Sequence, residues 1–445
     1  MNIQHEVLLY AISNLKFPFE LKLDQIEAVN SWIYNNCKGS VIFSTGTGKT
    51  EIAFECARHA AKIFKHKHEV AELNNNANTS NNFQFRILYL IPRLVLIEQN
   101  VKRLIKYGIS KNDIGVYCGD RKDIREITIS TYQSAINNIR LVEASNMIIM
   151  DEIHLISETA TVYNRILDLI GRDPEKAILG LTATINEQDP RFASIMAIAP
   201  PVKKYMIREA VTDGRLAEPR IVPITVNLTP IEEKMYRDIS TNITNLSRQL
   251  GDFDPKKISS FLKSGGYKSR LAKAWFKNVR ERKELLSETQ NKLREAVRIV
   301  RKHNSEPIMI FSETIKSIRK LEGMLREVGI EARCIHNEIS VIDRKKILEE
   351  WGKNFFPLLS VHTLEIGYDI PNVRIAIIIS NNSNNNQIAQ RIGRVIRKTT
   401  NKDYALIYVI FVKDTKDNNI LRMAKSTIHG REAAADKQLK LTFFK

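Results

Sequence analysis

Short apolar runs alternate with longer amphipathic stretches over the first two hundred residues. VIFS at 41–44, ILYLI at 87–91, ITIST at 127–131, NMIIM at 146–150 and ILGLT at 178–182 are the runs. Short runs dominated by apolar residues are the pattern of a strand covered on both faces of a parallel sheet. The stretches between them have room for the covering helices. The alternation stops near residue 205 and resumes with IMIF at 308–311, ARCI at 332–335, PLLSV at 357–361, IAIII at 375–379 and ALIYVIF at 405–411. This predicts an α/β chain of two tandem domains with parallel sheets, residues 1–205 and 206–445.

The gap reads differently. Within residues 230–303, Leu293, Ala296, Val297 and Val300 recur at intervals of three and four, which predicts a helical insertion. Charge sharpens the picture: the chain carries 68 lysines and arginines against 50 acidic residues, a net +18. Residues 256–302 alone hold 15 basic against 4 acidic residues. A solvated helix face is the plain reading of such a run. A segment this lopsided in an otherwise modestly charged chain reads instead as a footprint for a polyanion, with Lys268, Arg270, Lys273, Lys277 and Arg280 as phosphate contacts. Gly265-Gly266-Tyr267 marks a turn, and Trp275 and Phe276 are either core or stacking platforms for an exposed base. Asparagine-rich stretches at 74–82 and 381–386 read as loops.

Composition excludes other classes. Hydrophobic residues at 43% and charged residues at 27% rule out a disordered or fibrous chain. Cys37, Cys56, Cys118 and Cys334 form no C-x-x-C pair, which excludes a local zinc ribbon and fits a reducing compartment. No uncharged run approaches the ~18–20 residues of a membrane span, and the first apolar stretch follows no basic region. An intracellular location, cytoplasmic or nucleoid-associated, is expected, with no membrane partner.

Three motifs carry chemistry. Ser44-Thr45-Gly46-Thr47-Gly48-Lys49-Thr50 follows a strand and opens a helical pattern. Glycines there let backbone N–H groups converge on phosphate oxygens, the lysine reaches the outer phosphates, and the Thr50 hydroxyl ligates Mg2+. Phe43 stands where the strict phosphate-loop pattern has glycine. Asp151-Glu152-Ile153-His154 follows a strand about a hundred residues later: one carboxylate can hold the metal and its neighbour can act on a water, although an acidic pair after a strand is also a helix cap. Arg394 and Arg397 lie three apart, on one face if helical. They suit stabilisation of transition-state charge on a transferred phosphoryl group.

Taken in order, these stretches resemble superfamily 2 helicases and translocases over residues of about 20 to 415. Leu21-Lys22-Leu23-Asp24-Gln25 resembles the glutamine motif, STGTGKT motif I, Tyr89-Leu90-Ile91-Pro92-Arg93 motif Ia, and Ser130-Thr131-Tyr132-Gln133-Ser134 the strand-binding motif after it. DEIH resembles motif II, Leu181-Thr182-Ala183-Thr184 motif III, Ile310-Phe311-Ser312-Glu313 motif IV, residues 363–371 motif V, and Gln390 to Arg397 motif VI. Among these motors the chain is most similar to the archaeal XPB-like and phage UvsW-like DNA helicases. It departs from the XPB pattern after motif III, where Ile185-Asn186-Glu187-Gln188-Asp189 replaces Arg-Glu-Asp.

The resemblance implies two RecA-like domains that bind Mg·ATP, with the basic insertion as a thumb. Gln25 would read adenine. Thr45, Gly46, Thr47, Gly48, Lys49 and Thr50, with Gly367 and Asp369, would bind nucleotide, and Thr50 and Asp151 would hold Mg2+. Lys49, Asp151, Glu152, Gln390, Arg394 and Arg397 would be catalytic. Pro92, Arg93, Thr131, Ser312 and Thr363 would track one strand. DNA is the favoured partner over RNA, with a nuclease or repair protein as a candidate partner. The alternatives are a motor subunit of a nuclease or restriction assembly, an RNA helicase, and a non-hydrolysing scaffold.

Overall fold

In the computed structural model of the chain, residues 10–75, 84–156, 161–185, 187, 189–351, 354, 356–361, 373–380, 385–399 and 402–428 are described. The chain divides at one peptide into Met1–Arg215 and Leu216–Lys445, ten residues beyond the expected boundary.

The first unit holds β1 (Lys38–Phe43), β2 (Ile87–Ile91), β3 (Ile114–Cys118), β4 (Arg121–Lys122), β5 (Ile127–Thr131), β6 (Met147–Asp151), β7 (Ala177–Thr182) and β8 (Pro201–Tyr205). Its helices are α1 (Leu23–Tyr34), α2 (Lys49–Asn75), α3 (Val95–Lys106), α4 (Tyr132–Asn137), α5 (Arg140–Glu143), α6 (Thr161–Gly171), α7 (Ala193–Ile198) and α8 (Ile207–Thr212). The sheet order is β4-β3-β5-β2-β6-β7-β1-β8, parallel except at the β3–β4 edge. Every residue of β2, β5 and β7 is buried, which makes β2 and most of β7 apolar, while β5 also keeps Thr128, Ser130 and Thr131 inside. β1 lies between β7 and β8, so the turn after it opens at the carboxyl end of the sheet, where open α/β folds place their ligands.

The second unit holds β9 (Glu218–Val226), β10 (Ile308–Ser312), β11 (Arg333–Ile335), β12 (Leu358–Val361), β13 (Ile375–Ile378) and β14 (Tyr404–Val412), in the all-parallel order β11-β12-β10-β13-β14-β9. Its helices are α9 (Pro230–Leu250), α10 (Pro255–Ser260), α11 (Gly266–Glu288), α12 (Gln290–Lys302), α13 (Ile315–Glu327), α14 (Val341–Trp351) and α15 (Asn385–Val395). β8 and β9 lie outside the predicted runs for one reason. Both are edge strands, half-solvated, and both carry proline: PVKKY and EPRIVPITV. Proline cannot donate to a ladder and is tolerated where one side of the strand has no neighbour.

The insertion is shorter than the residue 303 limit expected for it. α12 belongs to the core of the second unit: Leu293, Ala296, Val297 and Val300 pack with Ile308 and Ile310 of β10 and Leu321 of α13. Its apolar stripe sets the helix against the sheet, and its lysines and arginines other than the buried Lys292 occupy the remaining face. What stands apart is α9, α10 and α11, joined by a small core of Ile243, Leu250, Ile258, Ala272 and Trp275. Thr229 caps α9 and Glu232 answers it, with Pro230 in the first turn and Gly251 left-handed at the end. The Trp275 indole donates to Ser247 Oγ at 2.8 Å, and Phe276 packs on the same cluster, so these two aromatics are core.

Candidate active site

The phosphate loop lies where β1 gives way to α2. Phe43, the departure from the strict pattern, is the last residue of β1. It is fully buried, with its ring 5.2 Å from that of Tyr205. Gly46 and Gly48 have φ of +88° and +89°, a region side chains rarely adopt. A Cβ on Gly48 would fall 2.2 Å from Gln25 Nε2, so glycine there also admits the glutamine. Gln25 accepts the Lys22 N–H through Oε1 and donates through Nε2 to the carbonyls of Thr47 and Gly48, at 3.4 and 3.3 Å. Lys49 Nζ donates to Phe43 O at 2.9 Å. Thr45 Oγ1 is buried with no hydrogen-bond partner among the described residues. With the glycines and the start of α2, this is a lining that suits phosphate oxygens.

Asp151 ends β6 and Thr182 ends β7, both at the carboxyl edge of the sheet that bears the loop. Glu152 has φ +50°, a strain on the order of 1–3 kcal/mol for a residue with a side chain. That turn puts its carboxylate 3.2 Å from His154 Nδ1, which also lies 2.9 Å from Thr182 Oγ1. Thr182 accepts the Thr184 N–H, so a polar chain runs from motif II into motif III. Tyr132 donates to Asp151 O at 2.7 Å and steadies the strand end. Burial first, then the Glu152 carboxylate, push Asp151 up to about 7, with Lys49 pulling the other way. A buried carboxylate in this state is a ready ligand for a hard divalent cation, which would restore its charge. Among the described residues, no three acidic, histidine or cysteine side chains gather as an all-protein metal cage. That suits an ion held by one carboxylate, a hydroxyl and the nucleotide.

In the second unit, α15 carries motif VI. Gln390 and Arg394 are buried on it, but the helix ends at Val395. Arg397 is paired in an antiparallel bridge with Leu216, so the two arginines do not share a helix face. The ending has a cause. Lys402 Nζ donates to the carbonyls of Val395 and Arg397, acceptors that a longer helix would have used itself, and to that of Val373 ahead of β13. Burial, then Arg374 and Arg397, lower the Lys402 ammonium to about 8. Arg391, fully buried, donates to Glu313 Oε1 at 2.7 Å and to Ser380 O at 2.9 Å, tying motif VI to motif IV.

The remaining expected contacts separate. Arg93 is exposed and Pro92 half-exposed after β2. Thr131 spends its hydroxyl capping α4, accepting Ser134 N–H at 3.2 Å and donating to Ser134 Oγ at 2.9 Å. Ser312 is wholly buried in a hydroxyl cluster with Ser317 and Ser380, so its side chain is withdrawn from the surface. Thr363, Gly367 and Asp369 lie outside the described residues. On α11, Arg270, Lys273, Lys277 and Arg280 are exposed at helical spacing on one face, whereas Lys268 lies off that stripe over the Phe261 ring at 5.2 Å.

Arg215, Asp24, Glu313, Arg391 and Lys402 were not anticipated as site residues. Arg215 and Asp24 lie 191 residues apart and Arg391 and Glu313 lie 78 apart, and no local pattern reports such pairs.

Residues 18–187 match the family described as "Type III restriction enzyme, res subunit", and residues 290–399 match "Helicase conserved C-terminal domain". The chain is 25% identical over 437 residues to "DNA 3'-5' translocase XPB2" of Sulfurisphaera tokodaii, covering 92% of this chain and 87% of that one. It is 25% identical over 424 residues to "DNA 3'-5' helicase XPB" of Kineococcus radiotolerans, of which it spans 63%. In fold, it superposes with a TM-score of 0.63 and 16% identity on "ATP-dependent Type ISP restriction-modification enzyme LlaBIII bound to DNA", covering 97% of this chain and 31% of that one.

Proposed function

The chain belongs to superfamily 2 of the helicases, and from that premise we propose that it is a Mg·ATP-driven DNA translocase or helicase. The observation that carries the proposal is the gathering of Lys49, Thr50, Asp151 and Glu152 at the carboxyl ends of β1 and β6, with no member of the set lost. ATP supplies the γ-phosphoryl group, and Mg2+ would offset its charge from Thr50 and Asp151. Lys49 leaves its resting partner, the Phe43 carbonyl, for the phosphates. Glu152, set by its left-handed backbone and by His154, orients the attacking water and takes its proton. The His154–Thr182–Thr184 chain is the route by which loss of the γ-phosphate reaches the segment after motif III. Arg394 and Arg397 stabilise charge on the transferred group. α9 to α11 form a thumb whose exposed stripe meets DNA phosphates.

The deciding experiment is ATPase activity measured side by side with single-stranded DNA, duplex, forks, junctions and RNA. Stimulation by DNA is expected, together with a loss of turnover by orders of magnitude in Arg394→Ala and Arg397→Ala. No stimulation by any DNA, or stimulation by RNA alone, would refute the proposal. The restriction-enzyme family match over residues 18–187 favours a second reading, a motor subunit of a nuclease assembly. Copurification of a nuclease with the chain tests it.

A further inference from the structure

The residues on either side of the peptide at which the two units divide are each held within their own unit. Arg215, the last residue of the first unit, places its guanidinium against the phosphate loop: Nη2 donates to Thr47 O at 2.6 Å, and Nη1 pairs with the Asp24 carboxylate. Thr47 O also receives Gln25 Nε2, so one loop carbonyl joins the glutamine motif, the loop and Arg215. The guanidinium lies 5.7 Å from the Tyr205 ring, and Tyr205 O accepts the N–H of Ser44, at the start of the same loop. Arg215 itself is fixed by its own N–H, which donates to Ala210 O at 2.8 Å. The next residue, Leu216, is buried and bridges Arg397, and the one after, Ala217, donates its N–H to Ile396 O at 2.8 Å. From Arg215 to Ala217 the backbone spans at most about 7 Å, with no spare residue between the two sets of contacts.

We propose that Arg215 is a positioning residue that passes the state of the phosphate loop along the chain, through Leu216 and Ala217, to Arg397. The inference rests on the ATP-driven motor reading above and deepens it. Phosphates entering the loop act on the backbone at Thr47, whose carbonyl holds Arg215. Three consecutive anchored residues carry the shift to the segment that bears Arg397. A flexible linker would absorb such a shift, whereas this junction has none to absorb it. Arg215 touches no reacting atom in this scheme, and its effect appears in how strongly DNA changes turnover.

The test compares the stimulated-to-basal ATPase ratio in the full chain and in four variants: Arg215→Ala, Arg215→Lys, Asp24→Asn, and a chain with one glycine inserted between Arg215 and Leu216. The insertion removes no side chain and adds only backbone slack. ATP affinity and thermal midpoint are measured on each. The ratio is expected to fall by about 5-fold or more in Arg215→Ala and in the insertion variant, within the usual range of coupling between sites. ATP affinity should change less than the ratio, and Arg215→Lys should recover part of it. Combining Arg215→Ala with the insertion should do no more than either alone. A ratio unchanged in the insertion variant overturns the inference, as does a fall in Arg215→Ala matched by an equal loss of ATP affinity. If the unaltered chain shows no DNA-stimulated hydrolysis, the motor reading fails. If it is stimulated and the insertion variant equally so, the coupling alone fails.

Discussion

Lys292 is one of the fifteen basic residues that make 256–302 look like a surface, and it is fully buried. Its ammonium lies 2.5 Å from Asp417 Oδ2 and donates to Ile379 O at 2.9 Å. Asp417 in turn accepts the Val412 N–H at 2.8 Å. Burial lowers the lysine's pKa and Asp417 opposes that shift, so the pair keeps the charge in place. Asp417→Asn keeps the shape and an acceptor while removing the compensating charge. Breaking a buried pair from one side costs about 3–5 kcal/mol. The lysine's own escape, loss of its proton, sets a similar ceiling. From an ordinary value of 10.5 down to pH 7 is roughly 3.5 pH units at about 1.4 kcal/mol each, or about 5 kcal/mol. For a domain of this size each kcal/mol moves the midpoint by about 2–4 °C, so unfolding of the second unit should drop by roughly 6–20 °C. Differential scanning calorimetry, with amide exchange in α12 to identify the unit, reads this directly. The double change Lys292→Met with Asp417→Leu should recover most of the loss, because apolar packing replaces both desolvated charges. A drop under about 2 °C in Asp417→Asn, or a double variant as unstable as the single one, would refute the buried pair.

Three further outcomes are expected. Lys49→Ala should weaken ATP affinity and turnover together, whereas Glu152→Gln should abolish turnover and still bind ATP; steady-state kinetics with nucleotide titration separates them. Neutralising Arg270, Lys273, Lys277 and Arg280 together should leave basal ATPase intact and flatten the slope of log K for DNA against log [salt] by about 0.7–0.9 per lost phosphate contact, read by binding across a salt series. For Lys402 the folded value of about 8 lies below the ordinary 10.5, so the unfolded chain holds the extra proton between those values and stability rises with pH there. The stability of the unaltered chain minus that of Lys402→Met should therefore rise from pH 8 to 10 in urea unfolding, and a flat or falling difference would count against the buried ammonium.

The architecture and the nucleotide loop were legible in the sequence because both are local. Strands covered on both faces are dominated by apolar residues, so β2, β5, β6 and β7 announced themselves. Glycine, lysine and threonine at fixed offsets after β1 likewise have few uses other than holding phosphate. β8 and β9 escaped because an edge strand tolerates lysine and proline and loses its periodic signature. The charge run escaped in the opposite sense: one stretch of basic sequence divides into a solvated stripe on α11 and a core helix, α12, and only packing shows which lysine is inside. Trp275, Thr131 and Ser312 are side chains that suit a nucleic-acid surface by type, yet they serve an indole hydrogen bond, a helix cap and a buried hydroxyl cluster. The hold of Arg215 on Thr47 and Asp24 was beyond sequence altogether. Hydrogen bonds of a few ångströms between residues 168 and 191 positions apart exist only after the sheet has brought β1, β8 and α1 together. Periodicity and short motifs encode what a segment can be, and tertiary packing, by closing those long distances, decides which polar groups are spent on structure and which are left for chemistry.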